Sequence, residues 1–255
     1  MRYGLASYAL AWRGRLRLLQ VAGASNSGKT QWALTSACSV LMDQPSSHVL
    51  YVDSEQRKLP EAASAMLRRR LTGSLGAERA FQASADALTR LHMVQIADSV
   101  QLLEWCSSLE NTCLQQNVKL VVIDSVASAV RACSDAIHRQ KVLMQLAAQL
   151  KVLGEAFEFA VLVTNQVHQG RGGAAAPSST ADGDEADLGV AWSHAINTRI
   201  MLSRAHTLSG AGASSDRLAT ITKCPCAPRA TVRFAVTSAG VMLPADAAGM
   251  GFQLE

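Results

Sequence analysis

Aromatic residues, charged residues and long apolar runs are all scarce in this 255-residue chain. Aromatic residues make up 5%, which argues against a base-stacking surface of the kind that reads single-stranded RNA. Charged residues make up 17% and hydrophobic residues 49%, a balance typical of folded rather than disordered chains. The longest apolar run, residues 32–42, is much shorter than a membrane span. We therefore expect a chain that folds around its own core.

Clustered metal ligands are also lacking. The six cysteines are scattered, and only Cys224 and Cys226 lie close together. One C-x-C pair is half a metal site at most, so the pattern favours free thiols in a reducing compartment. The histidines show no metal-ligand spacing, and a net charge of +4 is too small to establish a nucleic-acid partner by itself.

Acidic residues are absent before Asp43, whereas Arg2, Arg13, Arg15 and Arg17 precede it. This bias is similar to that of a mitochondrial presequence. The alternative is that the arginines at 13–17 lead into the first core strand. We favour the second interpretation, because a cleaved segment could not extend past about residue 12 without damaging the motif that follows.

Apolar strands alternate with helical segments over the first two-thirds of the chain. Strands are predicted at residues 16–22, 49–52, 91–96, 118–123 and 159–164, and helices at 30–42, 60–70, 98–116 and 136–157, with 72–90 ambiguous. Asp98 resembles a helix N-cap, with Gln101 three residues later. The alternation predicts an α/β fold with a mostly parallel central sheet flanked by helices.

The pattern changes after residue 167. Residues 168–187 hold five Gly or Pro positions and four acids, which predicts a long mobile loop inside the domain. Strands without helices between them are predicted at 195–203, 217–222 and 231–236, and they indicate a C-terminal antiparallel extension. We expect one domain over residues 1–255, with 1–12 as an N-terminal lead-in.

A complete G-x-x-x-x-G-K-T motif lies between the first predicted strand and helix. Backbone N–H groups of such a loop surround phosphates, and its glycines permit the required backbone geometry. Lys29 would bring positive charge to the β- and γ-phosphates, and the Thr30 hydroxyl would ligate Mg²⁺. The predicted phosphate site comprises Gly23, Ala24, Ser25, Asn26, Ser27, Gly28, Lys29, Thr30 and Gln31.

Three polar side chains are expected at the carboxyl ends of predicted strands. Asp124 ends the buried strand LVVID and fits an acid that holds Mg²⁺, although a strand-end Asp alone commonly caps a turn. Glu55 could polarise the water that attacks the γ-phosphate, or be an ordinary exposed strand end. Gln166 could sense the γ-phosphate and signal to the following loop, or lie in an exposed turn.

Basic residues are a less specific signal. Arg131, Arg139 and Arg171 flank the predicted mouth of the site and could contact DNA phosphates. The run of arginines at 68–70 is most simply a solvated helix face.

Five segments resemble one protein family in their order and spacing: GASNSGKTQ, YVDSE, LVVIDSVAS, VLVTNQV and LGVAWSHAINTRI. They are similar to the RecA-like core of eukaryotic and archaeal strand-exchange recombinases, over about residues 12–243. The tail KCPCAPRATVRFAVTSAGV resembles the closing strands of that core. Within the family, SNSGKTQ and VIDSVAS look most like the DNA-repair paralogues, and nearest to the X-ray repair cross-complementing protein three type.

The resemblance implies a RecA-like P-loop ATPase core with ATP and Mg²⁺ as cofactors. Lys29, Glu55 and Gln166 would be catalytic, and Thr30 and Asp124 would hold Mg²⁺. Residues 125–139 and 168–188 would correspond to two DNA-facing loops. Implied partners are single-stranded or branched DNA, other paralogue subunits and the main recombinase. Implied localisation is nuclear, with cytoplasm or mitochondrion as alternatives.

Departures from the family pattern bear on the expected role. Gln56 replaces a Gly, Ala62 replaces an Arg that often stacks on adenine, and Lys223 stands where filament-forming members have an Asp near the neighbour's ATP. Lys223 could reach an adjacent subunit's γ-phosphate or be a surface substitution. We also expect no N-terminal DNA-binding domain and no Phe-x-x-Ala polymerisation motif, giving little weight to the Tyr8-x-x-Ala11 segment.

These departures favour a partner subunit over an autonomous strand-exchange enzyme. The first hypothesis is a recombination mediator that binds DNA and hydrolyses ATP weakly. The alternative is a nucleotide-gated scaffold with negligible turnover. A small-molecule kinase is a third possibility, against which the Thr-Asn-Gln segment and the antiparallel tail argue.

Overall fold

The structure, a computed structural model, describes residues 18–55, 57–167, 188–204 and 216–243. Gln56, Arg171, the predicted lead-in and the predicted loop at 168–187 lie outside the described residues. The described strands are β1 (Leu18–Gly23), β2 (His48–Asp53), β3 (Leu91–Gln95), β4 (Val118–Asp124), β5 (Ala160–Gln166), β6 (Thr198–Arg204), β7 (Asp216–Lys223), β8 (Thr231–Thr237) and β9 (Gly240–Met242). The described helices are α1 (Lys29–Asp43), α2 (Leu59–Leu75), α3 (Ala77–Leu88), α4 (Ser99–Gln115), α5 (Val126–Ala129), α6 (Ala136–Ala156) and α7 (Gly189–Ala195).

One sheet joins all nine described strands in the order β3-β2-β4-β5-β1-β6-β7-β8-β9. The first six strands of this order pair in parallel, and β7, β8 and β9 add antiparallel pairs. The carboxyl ends of β1, β2, β4 and β5 therefore meet at one edge of the sheet. The predicted fold class, a mostly parallel sheet with an antiparallel extension, is confirmed.

Both faces of the sheet are covered, which explains the nearly continuous apolar sequences of the central strands. On one face, α4 and α6 contribute Leu109, Leu143 and Leu146 to a buried cluster. On the other, α1 and α2 contribute Trp32 and Leu67 to a second cluster. Among the described helices, none is long and apolar enough to cross a bilayer.

The predicted strand at 195–203 is wrong at its start. Residues 189–195 form α7, and β6 begins only at Thr198. β6 also pairs in parallel with β1, so the antiparallel part begins one strand later than expected. The helix is short and is held by burial of Trp192, whose indole N–H donates to Gln20 Oε1 at 3.0 Å. Seven residues are too few to show a helical period in the sequence.

Two other segments depart in length from the prediction. α2 continues to Leu75, and the ambiguous 72–90 segment is mostly the separate helix α3. The N-cap of α4 is confirmed, because Asp98 accepts hydrogen bonds from the N–H groups of Val100 and Gln101 at 2.9 Å.

The antiparallel extension is attached to α1. Trp32 meets Phe234 of β8 edge to face, with ring centroids 5.5 Å apart. The Val241 N–H of β9 donates to Thr35 Oγ1 at 2.9 Å, and that hydroxyl donates to the Gln31 carbonyl at 2.6 Å. A Cβ at Gly240 would lie 2.4 Å from the Thr35 hydroxyl, so the strand approaches the helix as only glycine allows.

Candidate functional site

The loop between β1 and α1 turns tightly against the neighbouring strand β6. A Cβ at Gly23 would lie 2.4 Å from the Leu202 carbonyl oxygen and 2.7 Å from Ser27 Oγ. Gly28 has φ +107°, a left-handed conformation that favours glycine. Both motif glycines are thus required by the local geometry. The loop leads directly into the N-terminus of α1, where free N–H groups and the helix dipole favour an anion.

Lys29 folds back over this loop. Its Nζ donates to the carbonyls of Gly23 and Ala24 at 2.9 and 2.7 Å. Burial lowers the pKa of Lys29, an effect opposed by the carboxylates of Asp124 and Glu55. The hydroxyl of Ser27 is buried and has no hydrogen-bond partner among the described residues. An ammonium group and an unpartnered hydroxyl within one glycine-rich loop fit the phosphates of a nucleotide.

Asp124, at the end of β4, is 1% exposed. Its Oδ1 accepts a hydrogen bond from Thr164 at 2.5 Å and its Oδ2 accepts one from the Tyr51 hydroxyl at 2.9 Å. Burial, and then the neighbouring Asp124 carboxylate, raise the pKa of Tyr51 well above its ordinary value. Tyr51 therefore remains a donor, and the two strands flanking β4 hold the Asp124 carboxylate at the sheet edge.

A turn organised by Asp53 positions Glu55. The two carboxylate oxygens of Asp53 accept the backbone N–H groups of Glu55 and Arg57 at 2.9 and 2.6 Å. The parallel register places Asp53 beside Asp124. Glu55 Oε1 in turn accepts hydrogen bonds from the hydroxyls of Ser128 and Ser125 at 3.0 and 3.4 Å. The structure thus brings Glu55 and Asp124, predicted as separate strand ends, into one site with Lys29.

Arg57 was missed by the sequence analysis, although it lies at the centre of this site. Its Nη1 donates to Asp124 Oδ2 at 2.9 Å and to Thr30 Oγ1, and its Nη2 forms an ion pair with Glu55. Burial acts to lower the pKa of Arg57, but the carboxylates of Asp124 and Glu55 raise it, and the net shift is upward. The available signal was a basic residue two positions after the predicted catalytic glutamate.

The donor set also fits the predicted magnesium ion. Thr30 Oγ1 and Asp124 Oδ2 both contact the same nitrogen of Arg57, so the two oxygens face a common point. Hydroxyl and carboxylate oxygens are the protein ligands that Mg²⁺ prefers.

A cleft of about 690 Å³ adjoins the site on its outer side. Its lining includes Glu55, Gln166, Ser128 and the exposed Arg131. Gln166 and Glu55 therefore face one cavity, and Arg131 Nη2 donates to Ser128 Oγ at 3.3 Å. Arg139 lies in the first turn of α6 and does not line this cleft among the described residues.

Two further basic residues have structural neighbours that the sequence did not reveal. Lys223 donates from Nζ to the Ser193 carbonyl at 2.8 Å, near the end of α7. The Cδ and Nε atoms of Arg217 lie 3.5 and 3.6 Å from the place of a Cβ on Gly28. Arg217 is thus a further cationic side chain beside the phosphate loop.

Comparison with known proteins places these features in a family. The Rad51 family model matches residues 16–244. The chain is 28% identical to the human DNA repair protein RAD51 homolog 2, over 89% of this chain and 63% of that protein. It is 31% identical to the mouse DNA repair protein RAD51 homolog 4, over 82% of this chain and 61% of that protein.

An archaeal relative shows similarity over a shorter stretch. The DNA repair and recombination protein RadA of Ignicoccus hospitalis is 29% identical, over 62% of this chain and 46% of that protein. The chain spans a little over 60% of the length of the human and mouse relatives. Since the Rad51 model covers the phosphate loop, the acidic strand ends and the antiparallel extension alike, the chain belongs to the Rad51 family.

Proposed function

We propose that this protein is an ATP-binding DNA-repair protein that acts in homologous recombination as a recombinase paralogue, with weak DNA-dependent ATP hydrolysis. The observation that carries this proposal is the position of Glu55. It contacts Arg57 on the side of the phosphate loop and Ser128 on the side of the cleft that Arg131 lines. One carboxylate thus belongs to both the proposed nucleotide site and the cleft that Arg131 lines. The names of the human, mouse and archaeal relatives, all DNA-repair proteins, support the same role.

The loop and the strand ends divide the work of hydrolysis. Lys29 and the N–H groups of the α1 N-terminus would bind the phosphates, with Thr30 and Asp124 holding Mg²⁺. Bound Mg²⁺ supplies charge neutralisation to the phosphate oxygens. Glu55 would accept a proton at a carboxylate oxygen from the attacking water, and Gln166 in the same cleft would sense the γ-phosphate.

A short hydrogen-bonded path connects Arg131 to Glu55. Arg131 donates to Ser128 Oγ, and Ser128 Oγ donates to Glu55 Oε1 at 3.0 Å. A DNA phosphate that takes Arg131 away from Ser128 would alter the second bond as well. Ser128 is then a positioning residue that couples DNA binding to the orientation of the Glu55 carboxylate. Arg139 and Arg171 are proposed as further DNA contacts.

The expected partners are single-stranded or branched DNA, other paralogue subunits and the main recombinase, in the nucleus. The human and mouse relatives, RAD51 homologs 2 and 4, support the paralogue assignment. The finer assignment, to the X-ray repair cross-complementing protein three type, is supported by the SNSGKTQ and VIDSVAS segments alone and stays a prediction.

A second candidate function, a nucleotide-gated scaffold with negligible turnover, is favoured by two observations. The guanidinium of Arg57 pairs with the carboxylate that would activate water. Ala62, where relatives often carry an adenine-stacking Arg, packs against the core.

ATPase assays of the purified chain, with and without single-stranded DNA, test the main proposal. We expect DNA-stimulated turnover that is lost in Lys29→Ala and in Glu55→Gln. Glu55→Gln separates the two functions, because a mediator that needs hydrolysis loses repair function whereas a scaffold retains it. Unchanged ATP binding and unchanged repair in Lys29→Ala would contradict both.

A further inference from the structure

A guanidinium group lies where the two predicted magnesium ligands converge. Arg57 Nη1 is 2.9 Å from Asp124 Oδ2 and also contacts Thr30 Oγ1. Its second nitrogen pairs with Glu55. The Arg57 side chain is 34% exposed, whereas that of Asp124 is 2% exposed. The cation therefore reaches into the site from its open side and contacts every predicted metal ligand and the predicted catalytic acid.

This position and a directly ligated metal exclude each other. Mg²⁺ binds its oxygen ligands at about 2.0–2.1 Å and tolerates little distortion. A guanidinium nitrogen within hydrogen-bonding distance of the same two oxygens cannot remain there when a metal joins them. Metal binding through Thr30 and Asp124 must therefore displace Arg57.

The arrangement of Arg57 is built into the fold. Its backbone N–H is fixed by Asp53 Oδ2 at 2.6 Å, and Asp53 is 3% exposed. The same carboxylate also accepts the backbone N–H of Glu55, so the Glu55 and Arg57 side chains both extend from one turn. A long, flexible side chain from a rigid turn can leave its partners without unfolding the turn.

Charge counting shows what the guanidinium does. Lys29 and Arg57 face three carboxylates, those of Asp53, Glu55 and Asp124. Without Arg57, Lys29 alone would face these three carboxylates, and the larger excess of negative charge would repel the phosphates of a nucleotide. A guanidinium is also suited to phosphate oxygens, because its planar fork donates several N–H groups.

We propose that Arg57 is a resident cation of the nucleotide site, which competes with Mg²⁺ for Thr30 and Asp124 and makes nucleotide binding only weakly dependent on the metal. The inference rests on the proposed nucleotide-binding function. It assigns to Arg57 a binding role that the phosphate-loop motif does not contain. By linkage, removing Arg57 must strengthen the coupling between metal and nucleotide.

Equilibrium binding of a fluorescent ATP analogue, N-methylanthraniloyl-ATP, tests this without measuring turnover. The dissociation constant is measured in excess Mg²⁺ and in EDTA, and the ratio of the two is compared among variants. We expect a wild-type ratio within about threefold of unity and an Arg57→Gln ratio about tenfold larger, since couplings of this size are common. Arg57→Lys, which keeps the charge but not the fork, should fall between them.

Arg79→Gln is the matched control. It removes the same charge from an exposed position on α3, and its ratio should equal that of wild type. A thermal melt of each variant confirms that it is folded.

Two results would overturn the inference while leaving nucleotide binding intact. One is a wild-type chain that loses more than about a hundredfold in affinity in EDTA, a result that needs no variant. The other is an Arg57→Gln ratio equal to that of wild type. Absence of wild-type binding in either buffer would instead overturn the proposed nucleotide-binding function, and this inference with it.

Discussion

Two arginines at opposite edges of the same parallel sheet illustrate two uses of one side chain. At the amino edge, the end of the sheet where the parallel strands begin, Arg90 donates to the carbonyls of Leu41, Gln44 and Ser47 at 2.9 to 3.1 Å. At the carboxyl edge, where the parallel strands end, the Arg57 guanidinium donates to side chains alone among the described residues, and two of these are carboxylates. The first arginine closes the end of α1 and its following turn, whereas the second is held by groups that ligands also use.

This difference depends on whether the acceptor groups can lose their arginine donor without a cost to the fold. Backbone carbonyls at a helix end cannot leave Arg90 without exposing or unfolding the segment, because buried acceptors need donors. Carboxylates and hydroxyls can exchange one cation for another. The contacts of Arg90 at the amino edge therefore stabilise the fold. At the carboxyl edge, the ion pairs of Arg57 can be replaced when a ligand binds.

Removing Lys29 at the carboxyl edge should reduce binding most. In Lys29→Ala we expect ATP affinity to fall about 30- to 150-fold, because hydrogen bonds to charged groups contribute about 2–3 kcal/mol. The melting temperature should stay within a few degrees of wild type, since Lys29 contacts carbonyls of its own loop. Fluorescent-nucleotide titration and a thermal melt measure the two quantities. An unaltered ATP affinity in Lys29→Ala would show that Lys29 does not bind the nucleotide.

Removing Arg90 should show the reverse pattern. Arg90→Gln leaves carbonyls of the α1 terminus without their donor, and we expect the free energy of unfolding to fall by about 2 kcal/mol. Urea denaturation measures this loss, and ATP affinity measured on the folded variant should not change. An affinity loss as large as that of Lys29→Ala would mean that the two edges do not divide stability and binding.

The variant Ser128→Ala tests whether DNA bound at Arg131 affects the Glu55 carboxylate. In Ser128→Ala the bonds to Arg131 and Glu55 are both lost. We expect the stimulation of ATP hydrolysis by single-stranded DNA to fall about fivefold, consistent with one hydrogen bond of about 1 kcal/mol. DNA affinity, measured by fluorescence anisotropy, should change little because Arg131 remains. Full stimulation in the variant would place the coupling elsewhere.

The amino edge should show its own, smaller response, to protons. His48 Nδ1 and His92 Nε2 are 2.9 Å apart, and their rings stack with centroids 5.2 Å apart. Burial lowers the pKa of His48, with further lowering by His92 and Arg90. Its folded pKa therefore lies below its unfolded value of 6.5, so stability present above pH 6.5 is lost as the pH falls through the folded pKa.

Urea denaturation of wild type and His48→Asn between pH 5 and pH 8 checks this sign. We expect the decline in stability at low pH to be shallower in the variant. Ligand affinity at pH 8 should be equal in the two proteins. A steeper decline in His48→Asn would show that protonation of His48 stabilises the fold.

Features encoded by short stretches of sequence were predictable. The buried parallel strands, the loop between β1 and α1 and the Asp98 cap each depend on neighbouring residues, and the structure confirms these elements. The positions of Glu55 and Asp124 near one edge also followed from the sequence, because the carboxyl ends of parallel strands share that edge, whereas their roles stay predictions.

Features that depend on contacts between residues far apart in the sequence could not be predicted. Arg57 binds groups from α1, β4 and its own turn, and no local pattern reports such convergence. β9 is three residues long. α7 is stabilised by the hydrogen bond from Trp192 to Gln20 of β1, and these two residues are 172 positions apart in the sequence. Short elements carry little periodicity, so tertiary contact decides them.

The bond between Thr35 and Val241 has a consequence for the order in which the protein is made. It joins residues 206 positions apart, so the helix that follows the phosphate loop leaves the ribosome long before its last partner. Until β9 is synthesised, the side of α1 near Thr35 has no strand to cover it. Docking of β9 on α1 therefore cannot occur until residue 241 has been synthesised, and a nascent chain halted before it leaves this side of α1 uncovered.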